Sequence, residues 1–299
     1  MLQILWATGY AYDKDWEISW IKELLGNIEY KIDTLITTNQ IIPNSIIVFN
    51  HNCPYYEYLL EYEKLKLPFG LIHLSDEFIN DDCNVYNLTM CKFVFRNYYH
   101  KIFENTPKVH HFALGYKYDL WNDVLLIEKK NVATFSSKER QFDWNFLGFD
   151  HEKMPERRYA INLFKIIPNN KIVIETGNSY GQQLTGLKTP EYRQVLINSK
   201  FTLSPFGIKN IECFRLTESL ECGSIPITIN QDYWEKMFGE KPPFVMGNTW
   251  EESLNKVQNL LLPENQLTLE EMRITCCQFW RKYKNKISNK LAEKIKLLN

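Results

Sequence analysis

No apolar run in the chain approaches the roughly 18–20 residues that a helix needs to cross a bilayer. The opening stretch, MLQILWATGYAYDKDW, also lacks the basic segment and long apolar core of a secretory leader. The expectation is a soluble, cytoplasmic protein, or the soluble part of one whose anchor lies elsewhere. Lys and Arg number 35 against 36 Asp and Glu, a net charge of −1. No long-range field therefore gathers a polymer of phosphates, and nucleic acid is not an expected partner. The seven cysteines are odd in number, and none stands in Cys-x-x-Cys spacing. That argues for free thiols and against structural zinc or a disulfide framework. Internal repeats and low-complexity segments are absent as well.

What is present is ordinary globular composition over 299 residues, 44% hydrophobic and 24% charged, with length enough for two domains. Aromatic residues reach 14%. Most belong in a core, although rings with polar tips also suit a carbohydrate site. Apolar strands alternate with helical patterns. Leu2–Ala7, Tyr30–Ile36, Ser45–Asn50, Phe69–His73, Lys92–Arg96 and Val109–Leu114 read as strands of a first half. Asp143–Leu147, Lys171–Thr176, Phe201–Leu203 and Ser224–Ile229 read as strands of a second. Runs such as Ser45–Asn50 are apolar without alternation, as strands covered on both faces are. The expected class is α/β, with a domain over residues 1–125 and a crossing segment over 126–142. A second domain covers 143–265. A final helix over 266–299, opened by a Thr268-x-x-Glu271 capping box, is expected to return to the first domain.

The stretch Phe201–Asn230 organises the second half: a short strand, a turn with Pro205 and Gly207, a helix from about Ile211 to Cys222, and a second strand. Gly223 stands where a helix end takes a left-handed residue. Such a βαβ unit aims the free N–H groups of a helix N-terminus at a ligand. At about 100° per residue, Cys213, Leu216, Thr217 and Leu220 share the packing side, and Glu212, Arg215, Glu218, Ser219 and Cys222 the other. An exposed Arg215 with two carboxylates suits a diphosphate joined to a diol. A solvated face with an Arg215–Glu218 pair explains the same spacing.

These residues, SPFG followed by ECFRLTESLECGSIPI, resemble the C-terminal signature of the exostosin-like glycosyltransferases of family 47. That signature is a Pro-x-Gly turn, an Arg followed three residues later by a Glu, then Gly-x-Ile-Pro. Weaker matches follow in order: His73-Leu74-Ser75-Asp76-Glu77, Phe95-Arg96-Asn97-Tyr98, Leu114-Gly115-Tyr116 and Trp144–Gly148. The resemblance implies a GT-B architecture of two Rossmann-like domains facing a cleft, a nucleotide-sugar donor, a glycan acceptor and no metal. Leu-Ser-Asp-Glu and Arg-Asn-Tyr-Tyr are similar to the xylosyltransferase branch, which implies UDP-xylose and a β linkage. A GDP-fucose transferase and a non-catalytic glycan-binding module are the rival readings.

Inverting transfer needs a base for the acceptor hydroxyl and positive charge for the departing diphosphate. The resemblance implies Asp76 as the base, with Glu77 its alternate; as a local signal, Ser75 or Asp76 is equally a helix N-cap. His73, and Tyr10 in the first turn, are assigned to the acceptor side. On the donor side, Arg215 takes the diphosphate, with Arg158 or its neighbour Arg157 as a second contact. Glu218 takes the ribose hydroxyls, and Glu212 the sugar or base. Ser204, Pro205 and Gly207 lie along the donor. Asp81-Asp82 reads as loop. The basic final helix, with its stripe Ile287, Leu291, Ile295 and Leu298, either docks on a membrane surface or packs on the protein.

Overall fold

A computed structural model of the chain describes residues 1–7, 17–34, 41–51, 56–117, 119–122, 129, 132–150, 154–175 and 186–298. The chain divides into two compact units, residues 1–114 with 284–299, and residues 115–283.

The first unit is a parallel six-stranded sheet. Its strands are β1 (Leu2–Ala7), β2 (Tyr30–Thr34), β3 (Ser45–Asn50), β4 (Phe69–Leu74), β5 (Cys91–Arg96) and β6 (Val109–His111). Helices α1 (Ile18–Leu25) and α2 (Tyr56–Lys64) connect them. The strand order is β2-β1-β3-β4-β5-β6, so the direction of winding reverses between β1 and β3. Every residue of β3 and of β4 is buried, as uninterrupted apolar runs require of strands covered on both faces.

The second unit is a parallel five-stranded sheet in the order β11-β10-β9-β7-β8. Its strands are β7 (Phe142–Phe149), β8 (Asn170–Glu175), β9 (Ser199–Leu203), β10 (Ile225–Ile229) and β11 (Val245–Gly247). Its helices are α3 (Pro155–Phe164), α4 (Thr189–Ile197), α5 (Phe214–Glu221), α6 (Gln231–Phe238), α7 (Trp250–Leu260) and the start of α8 (Gln266–Ile295). Winding reverses here between β7 and β9. In open α/β sheets, ligands lie beyond the carboxyl ends of strands at such reversals. Residue 140, in the stretch read as a crossing, is woven into this unit. The Arg140 guanidinium donates to the carbonyls of Ser199 and Cys222, at 3.0 and 3.3 Å. Gly223 ends α5 at φ 68°, where a Cβ would meet Arg140 Nη2 at 2.8 Å.

Several local expectations change. No helix follows Asp76: residues 75–82 are irregular, and the next regular piece is a short 3-10 turn, Cys83–Asn87, capped by Asp82. Helix α5 starts at Phe214 rather than Ile211, and Arg215 through Glu221 are all buried, so the face expected to be exposed is covered. Helix α8 starts at Gln266, which places Thr268 inside it rather than at its cap. The stripe on α8 resolves in favour of packing on the protein. Ile287, Leu291 and Leu298 are buried in the first unit, Ser288 Oγ donates to Leu24 O, and Lys284 pairs with Glu23 at 2.7 Å. The apolar face that membrane docking requires is therefore covered. Among the described residues, no helix is long and apolar enough to cross a membrane.

Candidate active site

In the second unit the polar residues gather at the carboxyl ends of β7 and β9, where the winding reverses. Gly148 has φ 142°, and a Cβ on it would stand 2.6 Å from Arg215 Nη2. The glycine is what lets the Arg215 side chain cross the end of β7. Its guanidinium lies over the Phe146 ring at 4.5 Å, and Nε donates to Leu147 O at 2.8 Å. Nη1 reaches Cys213 Sγ at 3.6 Å, and Nη2 has no partner among the described residues. Arg215 is thus gripped along one edge, with a charged N–H left over. A planar fork held this way is prepared for an oxyanion.

Arg157 and Arg158 open α3, and the helix phase separates them. Arg157 is buried: Nη1 donates to Phe149 O and Nη2 to Phe206 O, both at 2.6 Å, with Gly207 O 3.4 Å away. Arg158, expected as a donor contact, is half exposed and pairs with Asp150 at 3.0 Å. Arg157 therefore holds the Ser204–Gly207 turn, and Arg158 stays at the surface. Within the turn, Gly207 N donates to Asn210 O at 2.7 Å, and Ser204 N to Ile227 O at 2.9 Å, with Ser204 and Pro205 buried. Beneath it runs a buried polar chain: Asn145 Nδ2 donates to Thr202 Oγ1, which meets Ser224 Oγ at 2.8 Å.

The two carboxylates are more enclosed than a free face would make them. Glu218 Oε2 accepts from Tyr192 Oη at 2.5 Å, and Oε1 from Lys117 N at 3.2 Å. Burial first, and then this carboxylate, push the Tyr192 hydroxyl well above the usual phenol range, which keeps it a donor. Both Glu218 oxygens, expected from the sequence to take ribose hydroxyls, therefore already hold protein donors, and Glu218 makes no ion pair with Arg215. Glu212 is buried and accepts from the Tyr233 hydroxyl.

In the first unit the groups collect where β3, β4 and β5 end. Ser75 adopts φ 61°, a left-handed conformation that a non-glycine residue takes at a cost of about 1–3 kcal/mol. Asp76, just after it, is buried. Its Oδ1 accepts from Asn80 N at 2.9 Å, and its Oδ2 lies 3.5 Å from Arg96 Nη2. The expected base thus turns both oxygens toward protein groups. Glu77 is also buried, its N–H bonded to Ser75 O. His73 is enclosed between Tyr86 Oη at 2.5 Å and Asp81 Oδ2 at 2.8 Å. Burial above all lowers its pKa, although Asp81 opposes the shift. His73 is accordingly a neutral interior ring and not an acceptor-facing one. Tyr10 lies outside the described residues.

Three members of this centre were given no catalytic or binding role in the sequence reading. Arg96 is buried and ties the centre together, donating to Asp76 O, Tyr86 Oη and Asn97 O. Asp81, read as loop, bridges His73 and His51; His51 Nδ1 lies 3.0 Å from Asp81 Oδ1 and 3.6 Å from Asp76 Oδ1. The only signal for His51 was its place directly after an apolar strand. The donor atoms of His51, Asp76 and Asp81 fall within 4.8 Å of one another, as do those of His73, Asp76 and Cys83. The Arg96 charge stands against Asp76, and the imidazoles are hydrogen-bonded to Asp81 and Tyr86, so the geometry reads as a proton network. The sequence holds one Asp-x-Asp, Asp13-Lys14-Asp15, which lies outside the described residues.

With this geometry in place, the comparisons bear on it. The family model for the RXYLT1 C-terminal domain matches residues 126–297. Ribitol-5-phosphate xylosyltransferase 1 of Mus musculus is 33% identical over 95 residues, 31% of this chain and 21% of that protein. The Homo sapiens protein of the same name is 34% identical over 90 residues, 30% of this chain and 20% of that protein. The matched stretch spans about a fifth of the length of these relatives. Among solved structures, an alpha1,3-fucosyltransferase with GDP-fucose aligns over 91% of this chain and 81% of its own, with TM-score 0.53 and 14% identity. At that identity the likeness concerns the fold alone, an α/β GT-B fold with two parallel sheets.

Proposed function

Because the chain belongs to the family of the RXYLT1 C-terminal domain, we propose that it is a glycosyltransferase that moves xylose from UDP-xylose to a hydroxyl with inversion. The product is then a β-xyloside. The relatives named for ribitol-5-phosphate suggest a polyol phosphate, or a glycan ending in one, as the acceptor. No metal is assigned to the reaction.

The observation that carries this reading is Arg215, anchored by Leu147 O and Phe146 with Nη2 left over, at the winding reversal of the second sheet. We assign it the leaving diphosphate. Ser204, Pro205 and Gly207, held from behind by Arg157, shape the backbone beside it. Glu218 on α5, and Glu212 just before its first turn, are assigned as donor-side carboxylates. Glu218 reaches a ribose only by exchanging the Tyr192 hydroxyl for a ribose hydroxyl. In the reaction the acceptor oxygen bonds to the anomeric carbon, and the bond from that carbon to the diphosphate oxygen breaks, its pair leaving on UDP. The acceptor proton passes to the acid centre of the first unit, which Asp76 and Glu77 help to build. Removing one well-placed charge of this kind costs about 10²–10³ in rate.

The test is calorimetry and turnover with UDP-xylose, other UDP-sugars and GDP-fucose, on the wild-type chain and Arg215→Ala. The expected result is UDP binding that weakens at least tenfold in the variant, with xylose transferred. Binding of GDP but not UDP would overturn the donor assignment. Binding of glycans without donor turnover would make the chain a lectin-like module instead.

A further inference from the structure

We propose that His51 is the side chain that takes the proton from the acceptor hydroxyl, with Asp81 as its positioning carboxylate and Asp76 as the countercharge. This rests on the transferase reading and deepens it.

His51 is the first residue beyond β3, a strand at the winding reversal of the first sheet, where ligands of open α/β sheets lie. Its backbone is fixed, since His51 N donates to Leu74 O at 3.0 Å and so prolongs the β3–β4 pairing by one residue. Its ring is held as well. Nδ1 lies 3.0 Å from Asp81 Oδ1. An ionised carboxylate only accepts, so Nδ1 carries the proton and Nε2 keeps its lone pair. Nε2 has no partner among the described residues, and the side chain is 27% exposed, against 1% for Asp76 and for His73. Among the described residues of this centre, His51 thus combines a basic ring nitrogen without a hydrogen-bond partner with a side chain that reaches solvent, whereas Asp76 is enclosed.

Asp81 is itself locked by a chain whose donors and acceptors all agree. Arg96 Nη1 donates to Tyr86 Oη at 3.2 Å, and the Tyr86 hydroxyl donates to His73 Nδ1. His73 Nε2 then donates to Asp81 Oδ2 at 2.8 Å. Both Asp81 oxygens are therefore occupied by rings, one buried and one partly exposed. When His51 gains a proton at Nε2, the new imidazolium faces Asp81 and, at 3.6 Å, Asp76 Oδ1. Arg96 supplies the opposing charge behind Asp76, at 3.5 Å. A base oriented by one carboxylate, and stabilised as its cation by two, is the arrangement that general-base catalysis requires. In the step, the acceptor O–H bond breaks, its proton goes to Nε2, and its pair forms the bond to the anomeric carbon.

The experiment compares wild type, His51→Ala, His51→Gln and Asp81→Asn, by UDP calorimetry, by transfer from UDP-xylose across pH, and by nitrogen NMR of the histidine tautomers. The expected result is unchanged UDP affinity, with transfer lowered by about 10²–10⁴ in the His51 variants. Wild-type His51 is expected as the Nδ1–H tautomer. Asp81→Asn is expected to lower kcat, leave the donor KM alone and move the acidic limb of the pH profile. The groups facing His51 in that profile are Asp76 and Asp81, with His73, Tyr86, Cys83 and Arg96 behind them. Active wild type with His51→Ala within threefold of it, or an Nε2–H tautomer, overturns this inference alone. Turnover abolished by EDTA and restored by a divalent ion overturns it in favour of a metal site. Failure of wild type to bind any UDP-sugar overturns the transferase reading, and the role of His51 with it.

Discussion

Replacing Gly148 by Ala tests whether the end of β7 was shaped around Arg215. The added Cβ would stand 2.6 Å from Arg215 Nη2, 3.6 Å from Cζ and 3.9 Å from Nε, while the backbone stays at φ 142°. The far end of an arginine ordinarily gives way cheaply. Here it is held by the 2.8 Å bond to Leu147 O and by the Phe146 ring, so withdrawal forfeits a charge-assisted hydrogen bond. That loss is about 1.5–3 kcal/mol, and the strained backbone adds about 1–3 kcal/mol. Gly148→Ala should therefore lower stability by about 3 kcal/mol. In an Arg215→Ala background the clash is gone and only strain remains, about 1–3 kcal/mol. A double-mutant cycle in urea should give a coupling of about 1.5 kcal/mol, and UDP calorimetry should show both single variants weakened. Additivity within about 0.5 kcal/mol would refute the reasoning, because independent sites add to that precision.

The two neighbouring arginines of α3 should part company in urea denaturation. Arg157→Ala, which strips donors from Phe149 O and Phe206 O, should cost about 2–4 kcal/mol, whereas Arg158→Ala should stay within about 0.5 kcal/mol as a surface ion pair does. Equal effects would discredit the phase argument. Tyr192→Phe should cost about 1–3 kcal/mol by leaving buried Glu218 Oε2 short of a donor; a neutral outcome would mean that Glu218 is open enough to serve a ligand directly. The urea midpoint should also respond to acid. Burial, with Lys290 and Lys294 adding to it, pushes His110 down to about 4. Burial and then Arg96 push His111 down to about 3. The unfolded chain titrates these rings near 6.5 and so binds more protons than the native state below that pH. The stability they confer is complete above about pH 6.5 and is lost as pH falls toward about 4 and then about 3. A His110→Gln, His111→Gln variant should flatten that part of the profile, and an unchanged slope would show the rings to be irrelevant.

Periodicity and punctuation were enough for the class of fold. Uninterrupted apolar runs such as Ser45–Asn50, short and rich in β-branched residues, read as strands covered on both faces, and Gly223 could be read as a left-handed helix end because few other residues accept that backbone. The family resemblance carried by Pro205, Gly207, Arg215 and Glu218, and not their spacing alone, singled out the stretch that stands at the second sheet's reversal. What tertiary structure alone decided was which side chains remain open. Helical phase separates Arg215 from Leu216, yet it is silent on whether a layer above covers both, and in the folded unit it does. Arg157 and Arg158 are one residue apart in the chain, and only the packing of α3 on the Ser204–Gly207 turn chose between them. His51 and Asp81 lie thirty positions apart, and each looks like loop by itself. Their pairing is a product of strand order, because β3 and β4 must end side by side before a carboxylate from one connection can meet an imidazole from the next.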